Sequence, residues 1–343
     1  MGIFISHESA LEYWRLHFDA PGANASRRKA VLPRGLPETD LARAENVGGL
    51  SFPLHVMLAD PGARRASRQQ MRQHVFRGET PNGCFVGVGE GLMVSSPEFC
   101  FLQLADELPL VKLIELGYEL CGTYSMPATA AQDGKLVLPA RDSGEQLDGK
   151  PISPKNGFSA RPPLTGTKKL AAFLARMPGV KGHQKAMRAL SYISDGAASP
   201  METKLAIILT LPYKLGGYHF PRPKHNNRIV PVKTARRSAP KAYYACDLYW
   251  ADYGVAVEYD SDSYHTGPDR IAEDSIRRAA LALMGITVFT VTNQQIRSAP
   301  ELRKVACALA SHMGKRLQYA NTGFAAAHSE LRKLLMSATL PAE

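Results

Sequence analysis

Residues 247–265, Asp-Leu-Tyr-Trp-Ala-Asp-Tyr-Gly-Val-Ala-Val-Glu-Tyr-Asp-Ser-Asp-Ser-Tyr-His, constrain this chain more than any other stretch. Two apolar, β-prone runs, Leu248 to Trp250 and Val255 to Val257, flank Ala251-Asp252-Tyr253-Gly254, which reads as a turn. The pattern predicts a β-hairpin. A four-residue loop pairs Trp250 with Val255 and, in the same register, Asp247 with Glu258; a two-residue loop gives the same register, a three- or five-residue loop breaks it. Directly opposed side chains share a face about 5 Å apart at Cβ. Strand alternation adds Asp260, with Asp262 behind it.

Like charges so placed oppose folding. Two carboxylates about 4 Å apart repel by roughly 4 kcal/mol at an effective dielectric near 20. A favourable cross-strand pair returns only about 0.2–1 kcal/mol. The expected offset is a divalent cation held by hard oxygens. The plainer reading is a solvated sheet edge, where most Asp and Glu are found. Against it, Val255-Ala-Val257 is the continuous apolar run of a buried central strand.

Charge points to a partner. The net +11 is uneven: residues 1–130 hold 12 Lys+Arg against 14 Asp+Glu, and residues 131–343 hold 30 against 17. No acid occurs from Thr203 to Cys246, a stretch that carries Lys204, Lys214, Arg222, Lys224, Arg228, Lys233, Arg236, Arg237 and Lys241. An acid-free basic stretch beside a carboxylate cluster suits a polyanion held next to a metal. DNA is the expected partner, with RNA left open; the competing reading is a solvated basic loop. The five cysteines are odd in number, widely spaced and without a Cys-x-x-Cys pair, as in a reducing compartment. No apolar run reaches the roughly 18 residues of a membrane span. The N-terminus does not read as a signal peptide. A soluble, cytoplasmic protein with no membrane partner is expected.

Along the chain, helices are predicted over 6–18, 96–118 (two), 166–177, 182–194, about 268–284, 300–317 and 326–337. Another starts at Ser199, with Pro200 at N1 and Glu202 at N3. As a capping-box residue Glu202 needs no further role. Strands are expected at 50–58, 83–94 and 286–291, with one or two more in 217–245. Gly, Pro, Asp and Ser accumulate from 128 to 165. The expected organisation is an α+β domain over 1–127, a linker over 128–165, an α/β domain over 166–320, and a C-terminal helix and tail over 321–343.

Several features in order resemble the PD-(D/E)XK restriction-endonuclease-like superfamily, nearest its very-short-patch-repair-like branch. They are Ser199-Pro-Met-Glu202, Asp247, Val255-Ala-Val-Glu258-Tyr-Asp260, Tyr264-His265, Asp274-x-x-Arg277-x-x-x-Leu281-x-x-x-Gly285 and Ile286-Thr-Val288. The resemblance implies a mixed central sheet flanked by helices and a magnesium- or manganese-dependent nuclease. Asp247 and Glu258 would be metal ligands, Asp260 would complete the shell, and Glu202 would be auxiliary. The family's third position is usually Lys; here it is Asp260. His265 is the nearest candidate general base, since an unperturbed imidazole titrates near about 6.5. Arg277 and Arg278, on the helix after the hairpin, together with Lys204, Arg236 and Arg237, are the expected phosphate contacts. Residues 1–127 are similar to antitoxin-like abortive-infection regulators at Ser96-Pro-Glu-Phe-Cys100 and Cys121-Gly-Thr-Tyr124, which implies a defence or repair context. The alternative is a nuclease fold without turnover that serves as a DNA-binding regulator.

Overall fold

The structure is a computed structural model that describes residues 2–17, 31–34, 49–60, 71–89, 91–128, 157–231, 242–260, 268–319 and 323–337, with only the backbone of 268–271. The chain divides into two compact units, Met1–Ser191 and Tyr192–Glu343.

The N-terminal unit is built on a five-stranded mixed sheet. Its elements are β1 (Ile3–Ile5), α1 (His7–Leu16), β2 (Leu54–Leu58), β3 (Met71–Val75), β4 (Phe85–Gly89), β5 (Leu92–Ser95), α2 (Pro97–Glu107) and α3 (Leu110–Cys121). The strand order is β3-β2-β1-β5-β4. β1 runs parallel to β5 and antiparallel to β2, and β2 is parallel to β3. α2 starts as its sequence dictates: Ser96 Oγ accepts the Phe99 N–H at 3.2 Å, with Pro97 in the first turn. A short ladder, β6 (Tyr124–Ser125) with β7 (Ser159–Ala160), leads to α4 (Thr167–Leu174) and α5 (His183–Leu190).

The domain boundary expected at 165 is thereby corrected. α4 and α5 pack on α2, and α5 also on α3. Lys185 Nζ donates to the carbonyls of Asp106 and Leu108, at 3.2 and 3.0 Å, where α2 ends. These helices finish the N-terminal core, so that unit is the larger of the two. Their apolar residues, Leu170, Phe173, Leu174, Ala186 and Ala189, read as helical in sequence, but a helical period does not say which element it covers.

The C-terminal unit is the α/β layer expected from the hairpin. It comprises α6 (Pro200–Thr210), a 3-10 turn (Tyr213–Leu215), β8 (Lys224–Ile229), β9 (Tyr244–Trp250), β10 (Val255–Asp260), α7 (Pro268–Leu283), β11 (Thr287–Thr292), α8 (Asn293–Arg297), α9 (Ala299–His312) and α10 (Phe324–Met336). The sheet order is β11-β10-β9-β8. β8, β9 and β10 are antiparallel neighbours, and β10 runs parallel to β11 through the α7 crossover. β10 is central and Val255, Ala256 and Val257 are fully buried, as the apolar run required.

The hairpin loop is Ala251–Gly254, four residues. It pairs Val255 with Trp250, Ala256 with Tyr249 and Val257 with Leu248, the expected register. Gly254 closes the loop at φ 56, and a Cβ there would lie 2.7 Å from the Gly285 carbonyl. The left-handed turn and the close approach both call for glycine. α10, expected as a separate tail, packs on the 3-10 turn and α6. Among the described residues no helix is long and apolar enough to cross a membrane.

Candidate functional site

The acids of this unit converge where β9 and β10 leave their regular ladder. Pairing between the two strands stops at Val257–Leu248, one step before Asp247 would meet Glu258. The β8–β9 ladder pairs His225 with Leu248 and Asn227 with Cys246 but skips Asn226 opposite Asp247. Asn226 itself has φ 45, a left-handed conformation that Asn tolerates better than most residues. Cys246 and Tyr249, three residues apart, both pack in the cluster that contains Ala256, Ala280 and Leu281. Regular alternation would place them on opposite faces. The strand is therefore irregular at Asp247, a device that re-aims a side chain.

That re-aiming corrects the expected cross-strand pair. The Asp247 carboxylate turns back into its own ladder, where Oδ2 accepts the Tyr259 N–H at 2.8 Å. Glu258 instead meets α7: Arg277 Nη1 donates to its Oε2 at 3.0 Å and Nη2 to its Oε1 at 2.5 Å. The same Nη2 also reaches the Ala245 carbonyl of β9. The offset expected from a cation is thus supplied at Glu258 by a guanidinium fork, whose geometry matches a carboxylate. Arg277, expected at a phosphate, is engaged within the protein.

Glu202 comes to Asp247 from α6. The capping box holds in part: Ser199 Oγ accepts the Glu202 N–H at 3.2 Å, and the Glu202 carboxylate reaches back to the Ala198 N–H at 2.9 Å. Its Oε2 also accepts from Asn226 Nδ2 at 2.9 Å, and that amide donates in addition to the Gly196 carbonyl at 3.0 Å. Glu202 is buried. The irregularity at Asn226 and Asp247 thus serves one end: it brings a buried helix carboxylate and a strand carboxylate together.

The electrostatic cost falls on Asp247. Burial, and then the neighbouring Glu202, push its carboxyl up to about 7, against the Tyr259 N–H and Arg277, which pull it down. Burial also raises Glu258 despite Arg277, and Asp247 adds to the rise. Cys246, in contact with Glu258, is pushed up to about 12, chiefly by burial, and is inert as a nucleophile. Asp260 ends β10 and is exposed, beside Thr292 of β11 in the ladder.

The remaining expected residues are dispersed. Arg278 is exposed on α7, and Lys204 is half-buried on α6. Of the acid-free stretch, Lys224 and Arg228 are exposed on β8, an edge strand, where charge also guards against edge-to-edge pairing. Arg228 sits over the Tyr243 ring at 4.6 Å. His265, Asp262, Arg236 and Arg237 lie outside the described residues. Asn226 was missed in sequence: its dipeptide Asn226-Asn227 lies in a basic stretch, and only the φ preference of Asn marked it out.

Glu202, Asp247 and Asp260 offer carboxylate oxygens, the donor type of a hard divalent cation such as Mg2+ or Mn2+, but among the described residues no three of these acids bring ligand atoms within 4.8 Å of one another.

Comparison with known proteins adds little chemistry. No protein-family model matches the chain, and no solved structure matches it. Uncharacterised proteins from two strains of Mycobacterium tuberculosis are 25% identical over 145 residues, 41% of this chain. The chain spans about half the length of these curated relatives, 47%.

Proposed function

We propose that the C-terminal unit is a metal-dependent endonuclease of the restriction-endonuclease-like class that hydrolyses phosphodiester bonds in DNA. The observation that carries this reading is the Glu202–Asp247 pair. A buried helix carboxyl and a half-buried strand carboxyl are brought together where an otherwise regular sheet breaks, at a cost that lifts Asp247 to about 7. Strongly perturbed, clustered carboxyls are a signature of functional sites.

Asp247 would hold the cation with Glu202 and the exposed Asp260. Glu258 would join them on giving up Arg277. When bound, the cation supplies charge to a scissile phosphate and acidity to a water. The protein's own groups do the rest. Burial around Asp247 keeps the site at low dielectric, where each charge counts for more. A phosphate reaching Arg277 competes with Glu258 for the same fork, so phosphate binding there would favour the freeing of Glu258. His265, five residues beyond Asp260, is the proposed proton acceptor in place of the family's Lys. Arg278, Lys204 and the Arg236-Arg237 pair would hold the backbone in register without reading sequence.

A second reading rests on one specific feature. With Arg277 closed on Glu258 and Asp260 in the usual Lys position, the same fold could bind DNA and not cut it, as a regulator. Plasmid nicking with and without Mg2+ or Mn2+ separates the two, with Asp247→Ala as control. Metal-dependent nicking that the variant abolishes supports the nuclease; tight DNA binding without nicking supports the regulator.

A further inference from the structure

The N-terminal unit holds a second cluster of ligand-type side chains, of different chemistry. His7 opens α1, His74 lies on β3 and Glu107 ends α2. One ring nitrogen of each histidine and one carboxylate oxygen of Glu107 all lie within 4.8 Å of one another. We propose that His7, His74 and Glu107 form a binding site for a transition-metal ion of the zinc class, independent of the carboxylate site of the C-terminal unit.

Four observations carry this. First, the backbone is arranged around His7 at a cost: φ is 50, which is strained for a residue with a Cβ. Its N–H is held by Gln103 Oε1 at 3.1 Å, and its side chain is buried. Second, His7 Nδ1 faces Ser6 Oγ at 3.0 Å. A hydroxyl on one ring nitrogen fixes the ring and leaves the other to ligate, the usual arrangement around a metal-bound imidazole.

Third, the sheet register brings His55 beside the cluster. β2 and β3 are parallel with Met57 opposite His74, and His55, two residues before Met57, shares its face. His55 Nδ1 lies 3.2 Å from His74 Nε2 and 2.6 Å from Glu8 Oε2. That nitrogen has one proton to give and Glu8, the nearer partner, takes it, so His55 stands beside His74 as a neighbour and not as a relay. Fourth, the His7 and His74 rings stack at 3.5 Å, 15° from parallel. A third imidazole, His55, lies 5.0 Å from His74.

Two imidazoles and one carboxylate are the donor set of zinc and its neighbours rather than of magnesium. Ligands about 2.0–2.1 Å from a tetrahedral ion sit roughly 3.3 Å apart. The cluster must therefore close by at most about 1.5 Å. The ion would join the start of α1, the edge strand β3 and the end of α2.

The test uses the full chain, stripped of metal with a chelator and titrated with zinc chloride, by calorimetry and by thermal melting. His74→Gln and Glu107→Gln are the variants, since neither residue is fully buried and both substitutions keep polar shape. The expected result is one zinc equivalent bound by wild type, with a rise in melting temperature, and affinity lowered at least tenfold in each variant. With cobalt in place of zinc, the spectrum should lack thiolate charge transfer, because no cysteine ligates. Absence of a zinc equivalent, wild-type affinity in either variant, or a thiolate band would overturn the proposal.

Discussion

Arg277 grips Glu258 through both carboxylate oxygens, 3.0 and 2.5 Å away, and ties α7 to the central strand of the C-terminal sheet. The pair is largely but not fully shielded, the side chains being 29% and 19% exposed. It converts a carboxylate that should oppose folding into a strut.

Removing one partner of that strut is expected to cost more than removing both. Arg277→Ala leaves Glu258 unpaired and should destabilise by about 2–3 kcal/mol, below the roughly 3–5 kcal/mol of a fully buried pair. Arg277→Met combined with Glu258→Leu should recover most of the loss. Urea denaturation of the metal-free protein checks this. A single variant within about 0.5 kcal/mol of wild type would mean the pair is decorative.

Asp247 makes stability depend on pH. Its folded pKa near 7 lies above the ordinary carboxylate value, so between about pH 4 and 7 the folded state binds more protons than the unfolded one. The contribution of this group to the stability of the metal-free protein should be greatest below that window and fall as pH rises through it. At about 1.36 kcal/mol per unit, the loss from this group is at most about 4 kcal/mol. Asp247→Asn should flatten the curve and be the more stable protein at pH 8. A wild-type curve that rises from pH 4 to 7, unchanged by the substitution, would contradict the burial of an acid at this position.

Glu202 is the second cause of that shift, so Glu202→Gln should lower the Asp247 midpoint while keeping the acceptor toward Ala198 and Asn226. Carboxyl-carbon NMR titration reads the midpoint directly. No movement would separate the two carboxyls.

Asn226 joins backbone and site. Asn226→Gly relieves the left-handed φ but loses the amide, whereas Asn226→Ala adds strain to the same loss. Ala should be the worse by roughly 0.5–1 kcal/mol. Equal effects would leave the backbone conformation without energetic weight.

The hairpin was legible because period and turn chemistry are local: a four-residue loop closed by a left-handed Gly254 set the register from Trp250–Val255 onward. The helix start at Ser199 was legible for the same reason. What failed was the extrapolation of that register to Asp247 and Glu258. Period-2 reasoning assumes an unbroken ladder, and the break is caused by groups distant in sequence, Asn226 on β8 and Glu202 on α6. Likewise the pattern of α4 and α5 announced helices but not the helices, α2 and α3, on which they pack. β3 went unread because Met71–Val75 carries Arg72 and His74 within a basic segment and looks like a loop. His74 on that strand is a ligand candidate that sequence reasoning never reached.

Whether the carboxylate site turns over is the central question. The direct measurement is conversion of supercoiled plasmid to nicked or linear DNA by wild-type full chain in Mg2+ or Mn2+ against chelator, beside Asp247→Ala, with DNA affinity measured for both. The expected result is metal-dependent cleavage by wild type, none by Asp247→Ala, and comparable affinity for the two. Tight DNA binding by wild type with no cleavage of duplex, single-stranded or mismatched DNA in either metal would contradict the nuclease assignment.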